Sequence, residues 1–460
     1  MTASALDELL GRLAAGVGVS TDGLAFTGRP VLESFYPVSE LAAASVGTAG
    51  LAASDLLRAL DVPGRGVPDR GVVVDRGLAD AWFGLALRPI GWELPSPWDA
   101  IAGDYPTVDG WIRLHTNAPH HRAAALRVLG VAADKAAVAD AVASWVAGEL
   151  ESAVVAEGGC AAELSSPAVW AAHPQGAAVA AEPLVQAERT DAVPDAAAHH
   201  WQPTAARPLA GLRVLDLTRV LAGPVATRLL AGLGAEVLRI DPPGWDEPAI
   251  VPEMTLGKHA ARLDAHDPAD RDRLIELLAG ADVLVSGYRA DALERLGLGE
   301  SVRRSIRPGL VDVSLDAYGH TGPWADRRGF DSLVQMSSGI AAAGLVAGTA
   351  HRPTPLPVQA LDQATGYLIA AAVLAGLTAR VRDGIGTRAK LSLARTAVEL
   401  DHARGLAVDA PAPARDHPRS TLSTPWGAAE LLPSPLSVGG HPLAWALPPR
   451  NLGADDPLWS

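Results

Sequence analysis

The segment 208–224 carries the residues whose types and spacing best fit ligand chemistry. It predicts a short apolar strand over 214–217, a tight turn containing Gly223, and a helix over 225–233. A second strand over 236–240 follows, and such a unit requires a right-handed crossover in a parallel sheet. The turn then lies at the carboxyl edge of the sheet, where helix N–H groups can face an anion. This half of the chain is therefore predicted to hold a phosphorylated, nucleotide-like ligand.

The turn lacks the glycine pattern of a dinucleotide-binding fold. Gly223 is followed by proline, where that fold would have G-x-G-x-x-G. Asp241 does end the second strand, at the position of a ribose-binding acid. Two interpretations stay open. The turn binds something other than a tightly packed pyrophosphate, or it is an ordinary connection between parallel strands.

One acid, Asp362, lies between a proline-bearing extended segment and an apolar helix predicted over 363–380. Sequence alone favours a helix cap, because a short acid just before a helix accepts a backbone N–H, which stabilises by about 1 kcal/mol. The same N–H groups and the helix dipole favour the charged form. We therefore expect this carboxylate to be ionised at neutral pH.

The composition limits the class of protein. At 460 residues and 48% hydrophobic, the chain can form two or three domains with a large core. Its net charge of −14 argues against a nucleic-acid partner. A single cysteine, Cys160, excludes an internal disulfide and suits a reducing compartment. With an acidic N-terminal helix instead of a signal peptide, and no apolar run typical of a membrane span, we predict a cytoplasmic protein without a membrane partner.

Eight groups of residues, in the same order along the chain, resemble the family III CoA-transferases (CaiB–BaiF type, the formyl-CoA transferase and α-methylacyl-CoA racemase superfamily). They span 208–224, 234–243, 256–259 with 262–264, 281–285 with 288–289 and 293–298, 318–323, 329–335, 362–366 and 384–393. Each motif alone is unspecific, but their shared order is specific. The resemblance covers roughly 208–400, which in that family is the large nucleotide-fold domain.

The predicted fold class is α/β, with a Rossmann-like parallel sheet, flanking helices and a smaller α+β domain. The N-terminal half resembles a degenerate copy of the later helix, since Glu40 to Arg58 spans the same distance as Asp362 to Arg380. We therefore predict rearranged or partly duplicated halves, although two Ala-rich helices can look alike without common origin. The predicted segments are 1–90 (degenerate helical repeat), 91–182 (small domain), 183–207 (linker), 208–404 (CoA-binding catalytic domain) and 405–460 (extended C-terminal segment).

The resemblance implies covalent catalysis by a carboxylate. Asp362, in the motif Asp-x-x-x-Gly366, corresponds to the nucleophile of the family, and Gly366 would leave room for a thioester. Asp331 is placed beside it, with a helix cap or a surface acid as the alternative. Phe330 stands where the racemase branch has a histidine, and a phenyl ring cannot move protons.

The resemblance also assigns a CoA-binding set. It consists of Val220, Leu221, Ala222, Arg239, Lys258, Tyr288 and Arg289. Arg and Lys suit phosphate, although each cation could instead be a solvated helix or strand end. Asp291 departs from the family pattern and would repel a phosphate near Arg289. No metal site and no tightly bound cofactor are expected, and CoA enters as part of the substrate.

The leading functional hypothesis is a CoA-transferase that moves CoA from an acyl-CoA to a carboxylic acid through an aspartyl anhydride and an aspartyl-CoA thioester. An acyl-CoA racemase or epimerase and a non-catalytic CoA-binding homologue are the alternatives. The resemblance implies an interlocked homodimer. The sequence leaves open whether the N-terminal half completes the site within one chain or between two.

Overall fold

The computed structural model describes residues 4–62, 71–192, 201–288 and 291–460. The strands are β1 (Leu24–Thr27), β2 (Val72–Asp75), β3 (Leu87–Ile90), β4 (Gly103–Pro106), β5 (Trp111–Leu114), β6 (Ala161–Glu163), β7 (Gln186–Ala192), β8 (Arg213–Leu217), β9 (Glu236–Asp241), β10 (His259–Arg262), β11 (Val283–Ser286), β12 (Val311–Asp316), β13 (Ile385–Ser392), β14 (Ser420–Thr424), β15 (Gly427–Leu431), β16 (Leu436–Val438) and β17 (His441–Pro442).

Seventeen α-helices lie within the described residues. They are α1 (Ala5–Val17), α2 (Val38–Ala59), α3 (Arg76–Gly84), α4 (Pro119–Leu129), α5 (Lys135–Val142), α6 (Ala147–Ala156), α7 (Pro167–Ala172), α8 (Pro174–Ala181), α9 (Ala222–Gly232), α10 (Val251–Met254), α11 (Pro268–Ala279), α12 (Ala292–Arg295), α13 (Glu300–Ile306), α14 (Asp331–Ser337), α15 (Ala343–Val346), α16 (Ala360–Asp383) and α17 (Leu393–His402).

The main sheet has seven strands in the order β10-β9-β8-β11-β12-β13-β7. All neighbouring pairs are parallel except β13 and β7, which are antiparallel. The apolar strand β11 is buried throughout, as expected for a parallel sheet covered on both faces. The mostly parallel α/β sheet predicted from the sequence is confirmed. The predicted strands over 214–217 and 236–240 match β8 and β9 within about one residue.

Helix α16 forms the centre of the core and packs against both α2 and α9. It is long and apolar enough to cross a membrane by length and composition, but 83% of its apolar window is buried inside the protein. Gly366 makes the approach to α9 possible, because a Cβ there would meet Ala222 O at 2.5 Å. The sequence interpretation was that Gly366 leaves room for the thioester. In the structure, the space beside Gly366 is filled by the packing of α9.

The N-terminal segment contains strands as well as helices. Parallel strands β1 and β2 form a sheet with β16 and β17 from the C-terminal segment, in the order β1-β2-β16-β17. Another small sheet, which is antiparallel, joins β14 and β15 to β3. The segment predicted as extended beyond 405 therefore pairs with the N-terminal strands, a long-range contact that local composition does not encode.

A third small sheet, β4-β5-β6, packs with α4, α5 and α6 around an apolar core that includes Ile112 and Leu150. It falls within the predicted small domain, 91–182. Strand β7 lies within the range predicted as a linker and forms an edge of the main sheet through pairing with β13. Residues 193–200 of that range lie outside the described residues.

Candidate functional site

The turn between β8 and α9 has an unusual backbone. Val220 adopts a left-handed conformation with φ of 64°, which is strained for a β-branched residue. Its N–H donates a 2.8 Å hydrogen bond to the Glu247 carboxylate, which holds this conformation. A Cβ at Gly223 would meet the Thr218 side chain at 2.3 Å, so only glycine fits where the helix begins. The turn is therefore rigid and leaves its outer side to the neighbouring cavity.

A buried polar cluster supports this turn from below. Lys258 Nζ donates to Asp216 Oδ2 at 3.1 Å, to Thr227 Oγ1 at 2.6 Å and to the Pro224 carbonyl at 2.9 Å. Burial lowers the pKa of Lys258 to about 8, and the charge of Asp216 opposes that shift. Lys258 is 0% exposed. It holds the turn and helix α9, and the described geometry does not offer its ammonium group to a phosphate as the sequence interpretation expected.

Arg239 is held in the same way. Its guanidinium forms two hydrogen bonds to Asp241, at 2.8 and 2.9 Å, and a third to Glu247 at 2.9 Å. It is 0% exposed. The two partners lie only two and eight residues later in the chain. This pairing could therefore have been recognised from the sequence. Arg239, which was predicted to bind phosphate, is thus occupied by two carboxylates, of which Glu247 also holds Val220.

A cavity of about 800 Å³ lies beside the turn. Two predicted CoA-binding residues of the turn, Val220 and Ala222, line it together with Tyr288 and the predicted nucleophile Asp362. Leu221 packs against the hydrophobic core instead. Arg289 lies outside the described residues. The structure therefore brings the turn and the acid to one cavity.

Asp362 is the third residue of α16 and does not cap it. The helix begins at Ala360, and no side chain forms a cap hydrogen bond at its start. The capping interpretation is wrong, because the helix starts three residues earlier than the sequence predicts. Asp362 is 7% exposed, and within the described part of the chain its carboxyl oxygens accept no hydrogen bond from a protein donor. Its carboxyl group is thus open to chemistry at the cavity wall.

Asp331 lies directly behind Asp362. Its Oδ2 accepts the backbone N–H of Asp362 at 2.9 Å, and its Oδ1 accepts the Gln335 side chain at 2.5 Å. Asp331 is the first residue of α14 and is 0% exposed. It is not a surface acid and does not line the cavity. Its position is that of a supporting group for the residue in front of it.

The two carboxyl groups perturb each other. Burial raises the pKa of Asp331 to about 6, and hydrogen bonds from the Asp362 N–H and from Gln335 limit that rise. Burial, with the Asp331 charge second, raises the pKa of Asp362 well above its usual range. The helix start was expected to favour the charged form of Asp362, but desolvation and a neighbouring acid outweigh the helix dipole and raise its pKa. The charge of Asp331 disfavours ionisation of Asp362, so Asp331, which accepts two hydrogen bonds, ionises first.

Phe330 lies beside this pair and is covered by two histidines of the N-terminal half. Its ring stacks on His115 with centroids 3.7 Å apart, and His121 approaches its edge at 5.8 Å. Burial lowers the pKa of His115 to about 3, so this imidazole is neutral. His120 and His121, at the start of α4, also line the cavity. The N-terminal half thus contributes to the cavity wall within the same chain.

Sequence reasoning missed several residues of the cavity wall. Arg219 and Trp245 contact each other there, and Arg327 and Arg328 lie near Phe330. Arg219 stands within the segment 208–224, next to Val220, and was not singled out. No sequence pattern marked His120 and His121, since only the fold brings α4 to the cavity wall.

Comparisons with known proteins match the segment that carries Asp362 and most strands of the main sheet. The sequence profile of the family described as CoA-transferase family III matches residues 209–425. The probable fatty acyl-CoA transferase Rv3272 of Mycobacterium tuberculosis is 33% identical over 234 residues, which cover 45% of this chain and 57% of that protein. The succinyl-CoA:glutarate CoA-transferase of Mus musculus is 37% identical over 194 residues, covering 39% and 44%.

A crystal structure of Rv3272 in an orthorhombic form matches with a TM-score of 0.40 at 34% identity, covering 44% of this chain and 57% of that one. The chain spans about half the length of the curated relatives that it matches. Residues 209–425 are therefore similar to the CoA-transferase family III.

Proposed function

We propose that this protein is a CoA-transferase that moves CoA from an acyl-CoA donor to a carboxylic acid acceptor, with Asp362 as the nucleophile. The observation that carries the proposal is the Asp362 carboxyl group. It faces a cavity of about 800 Å³, is backed by Asp331, and lies at the motif by which the chain resembles its family. Several matched relatives are named as CoA-transferases for different acids, which supports the reaction class and leaves the acyl group open.

The reaction begins with the ionised carboxylate. An Asp362 oxygen attacks the thioester carbonyl, the C–S bond breaks, and CoA leaves as a thiolate, which gives a mixed anhydride. The thiolate then attacks the Asp362 carbonyl carbon and releases the donor acid as a carboxylate, which leaves an aspartyl-CoA thioester. The acceptor carboxylate attacks this thioester and expels the thiolate again. Attack of the thiolate on the acceptor's acyl carbon gives the new acyl-CoA and restores Asp362.

Asp331 acts on this sequence as a positioning residue. Its hydrogen bond to the Asp362 N–H fixes the first turn of α16, and its charge raises the pKa of Asp362. A carboxylate with a raised pKa is a stronger nucleophile once it is ionised, because basicity and nucleophilicity rise together. The cost is that Asp362 is ionised in a smaller fraction of the protein molecules at neutral pH. Burial among apolar groups also limits access of water to the anhydride.

We infer further that the chain is a rearranged partial duplication. Helix α2, strand β2 and helix α3 correspond to α16, β13 and α17. The acids Glu40 and Asp362 are each the third residue of their helix. Strand β2 lies between parallel β1 and antiparallel β16, and β13 lies between parallel β12 and antiparallel β7. In this view 1–90 is the degenerate repeat, 91–182 the small domain and 208–404 the catalytic domain.

The repeat would carry no second active site. Glu40 is 3% exposed and forms a 3.1 Å ion pair with Arg76. Its carboxylate is thus held by a cation, whereas Asp362 has only another acid beside it. One chain then provides one nucleophile. An interlocked homodimer and a cytoplasmic location remain proposals that follow from the family resemblance and from the composition.

The test is covalent capture. The protein is incubated with a panel of acyl-CoA thioesters and quenched with hydroxylamine, and peptides are mapped by mass spectrometry. Conversion of Asp362 to a hydroxamate is expected, with loss of all CoA exchange in Asp362→Asn. Asp272→Asn, in an exposed acid on α11, serves as the control and should retain full exchange. Exchange that persists in Asp362→Asn would refute the assignment.

A further inference from the structure

The Arg219 side chain lies at the cavity wall, where two aromatic rings confine it. Its guanidinium carbon lies 4.5 Å from the centroid of the Trp245 ring and 4.7 Å from that of Tyr288. The two rings therefore contact the guanidinium group. Its Nε is buried and has no hydrogen-bond acceptor among the described residues. A buried cationic N–H donor without an acceptor is costly unless a ligand supplies one.

The two residues whose rings contact Arg219 are held by hydrogen bonds. The Trp245 backbone carbonyl accepts a 2.8 Å hydrogen bond from Arg262, which also donates to the Pro242 carbonyl at 2.9 Å. The Tyr288 hydroxyl lies 3.4 Å from the Ile240 carbonyl, to which it donates. The guanidinium group is thus positioned before any ligand arrives. A planar guanidinium group can bind phosphate oxygens in pairs through its N–H donors.

Three other cations near this wall are already neutralised. Arg239 is paired with Asp241 and Glu247, and Lys258 is paired with Asp216. Arg327 forms a 2.6 Å ion pair with Glu151. Arg219 has no carboxylate within ion-pair distance among the described residues, which makes it the better candidate for an external anion.

We propose that Arg219 binds a phosphate of the nucleotide portion of the acyl-CoA substrate, in place of the role that the sequence assigned to Arg239 and Lys258. The inference rests on the proposed function for the identity of the substrate. The strained Val220 next to it then has a purpose, because the left-handed conformation turns the chain where Arg219 meets the cavity.

The experiment measures binding to the full chain by calorimetry with three probes: CoA, adenosine 3′,5′-bisphosphate and phosphate-free pantetheine. Arg219→Gln should weaken binding of CoA and of the bisphosphate by about 10- to 100-fold, the range for a charge-assisted hydrogen bond. Its affinity for pantetheine should equal that of the unmodified protein. Arg219→Lys should recover part of the loss, since it keeps the charge and lacks the planar fork. Arg271→Gln, an exposed arginine on α11, should bind all three probes normally.

The bisphosphate carries no thioester, so its dependence on Arg219 is independent of transferase activity. Failure of hydroxylamine capture at Asp362 would therefore count against the proposed function and leave the phosphate assignment standing. The assignment is overturned if the unmodified protein binds neither phosphorylated probe. It is also overturned if Arg219→Gln and Arg219→Lys, both with normal thermal unfolding, bind CoA normally or lose pantetheine equally.

Discussion

The backbone N–H of Asp362 donates a 2.9 Å hydrogen bond to Oδ2 of Asp331, and this bond links two helices through the residue proposed as the nucleophile. The acid that orients Asp362 is also the charge that raises its pKa. Position and basicity are therefore set by the same side chain, and a change at Asp331 should alter both.

The pH dependence of covalent capture should shift in Asp331→Asn. Removing the neighbouring negative charge lowers the pKa of Asp362, so a larger fraction of the nucleophile is ionised at lower pH. We expect the rise of the capture rate with pH to move to lower pH, while the limiting rate at high pH falls because the carboxylate is less basic. The measurement is the rate of Asp362 modification between pH 5 and 9. An unshifted profile would mean that the pair is not coupled.

The free energy of unfolding should fall as pH rises through the range from about 4 to about 6. The pKa of Asp331 is about 3.9 in an unfolded chain and about 6 in the folded protein. In that window the unfolded state loses its proton before the folded state does, so deprotonation favours unfolding. The double variant Asp331→Asn/Asp362→Asn should show a flatter slope in urea titrations at several pH values. An equal slope in both proteins would contradict the raised pKa values.

Glu40→Gln should leave CoA exchange unchanged. It removes one partner of a buried ion pair, although Arg76 keeps a second carboxylate, Asp409. We therefore expect a loss of about 1–3 kcal/mol in the free energy of unfolding, at or below the usual range for breaking a buried pair. Hydroxylamine should still modify one residue per chain. Modification of Glu40 itself would show a second working site and would contradict the degenerate repeat.

Lys258→Met should destabilise the protein by about 3–5 kcal/mol, because it leaves Asp216 as a buried, unpaired charge. Lys135→Met, in an exposed lysine on α5, should have almost no effect on the melting temperature. If Lys258 instead bound substrate phosphate, CoA affinity would fall with little loss of stability. Chemical denaturation and calorimetry on the same variants distinguish the two outcomes.

Gly366→Ala should weaken the packing of α16 on α9. The added Cβ would lie 2.5 Å from Ala222 O and 2.8 Å from Val225 Cβ, so one helix must move, at a cost of about 1–3 kcal/mol. The same change at Gly11 of α1 meets no atom within 4 Å and should stabilise by about 0.5–1 kcal/mol. Thermal unfolding of both variants provides the comparison. Equal shifts of the same sign would contradict the close helix contact.

Sequence reasoning predicted the local elements of the main sheet well. The apolar run at 214–217 and the strand at 236–240 lie where the structure has β8 and β9, whereas Gly223 and Pro224, predicted in the turn, belong to the first turn of α9. These features depend on residues close together in the chain, where alternation, glycine and proline act directly. The juxtaposition of Asp331 and Asp362 came from the family resemblance.

The parts that sequence reasoning missed depend on distant contacts. The partner of Lys258 is Asp216, 42 residues earlier, and spacing alone does not reveal that ion pair. The raised pKa of Asp362 follows from burial, which no local pattern at Asp362 reports. Arg219 was overlooked because its significance comes from Trp245 and Tyr288, which the fold brings to it.

The pairing of β16 with β2 has a consequence for biosynthesis. The partner of residues 72–74 is the stretch 436–438, so the N-terminal sheet stays incomplete until residue 438 has been translated. Closure of so large a loop is slow, and an unpaired strand edge is prone to aggregation in the meantime. We expect nascent chains halted before this stretch to be held by chaperones and to be sensitive to proteases.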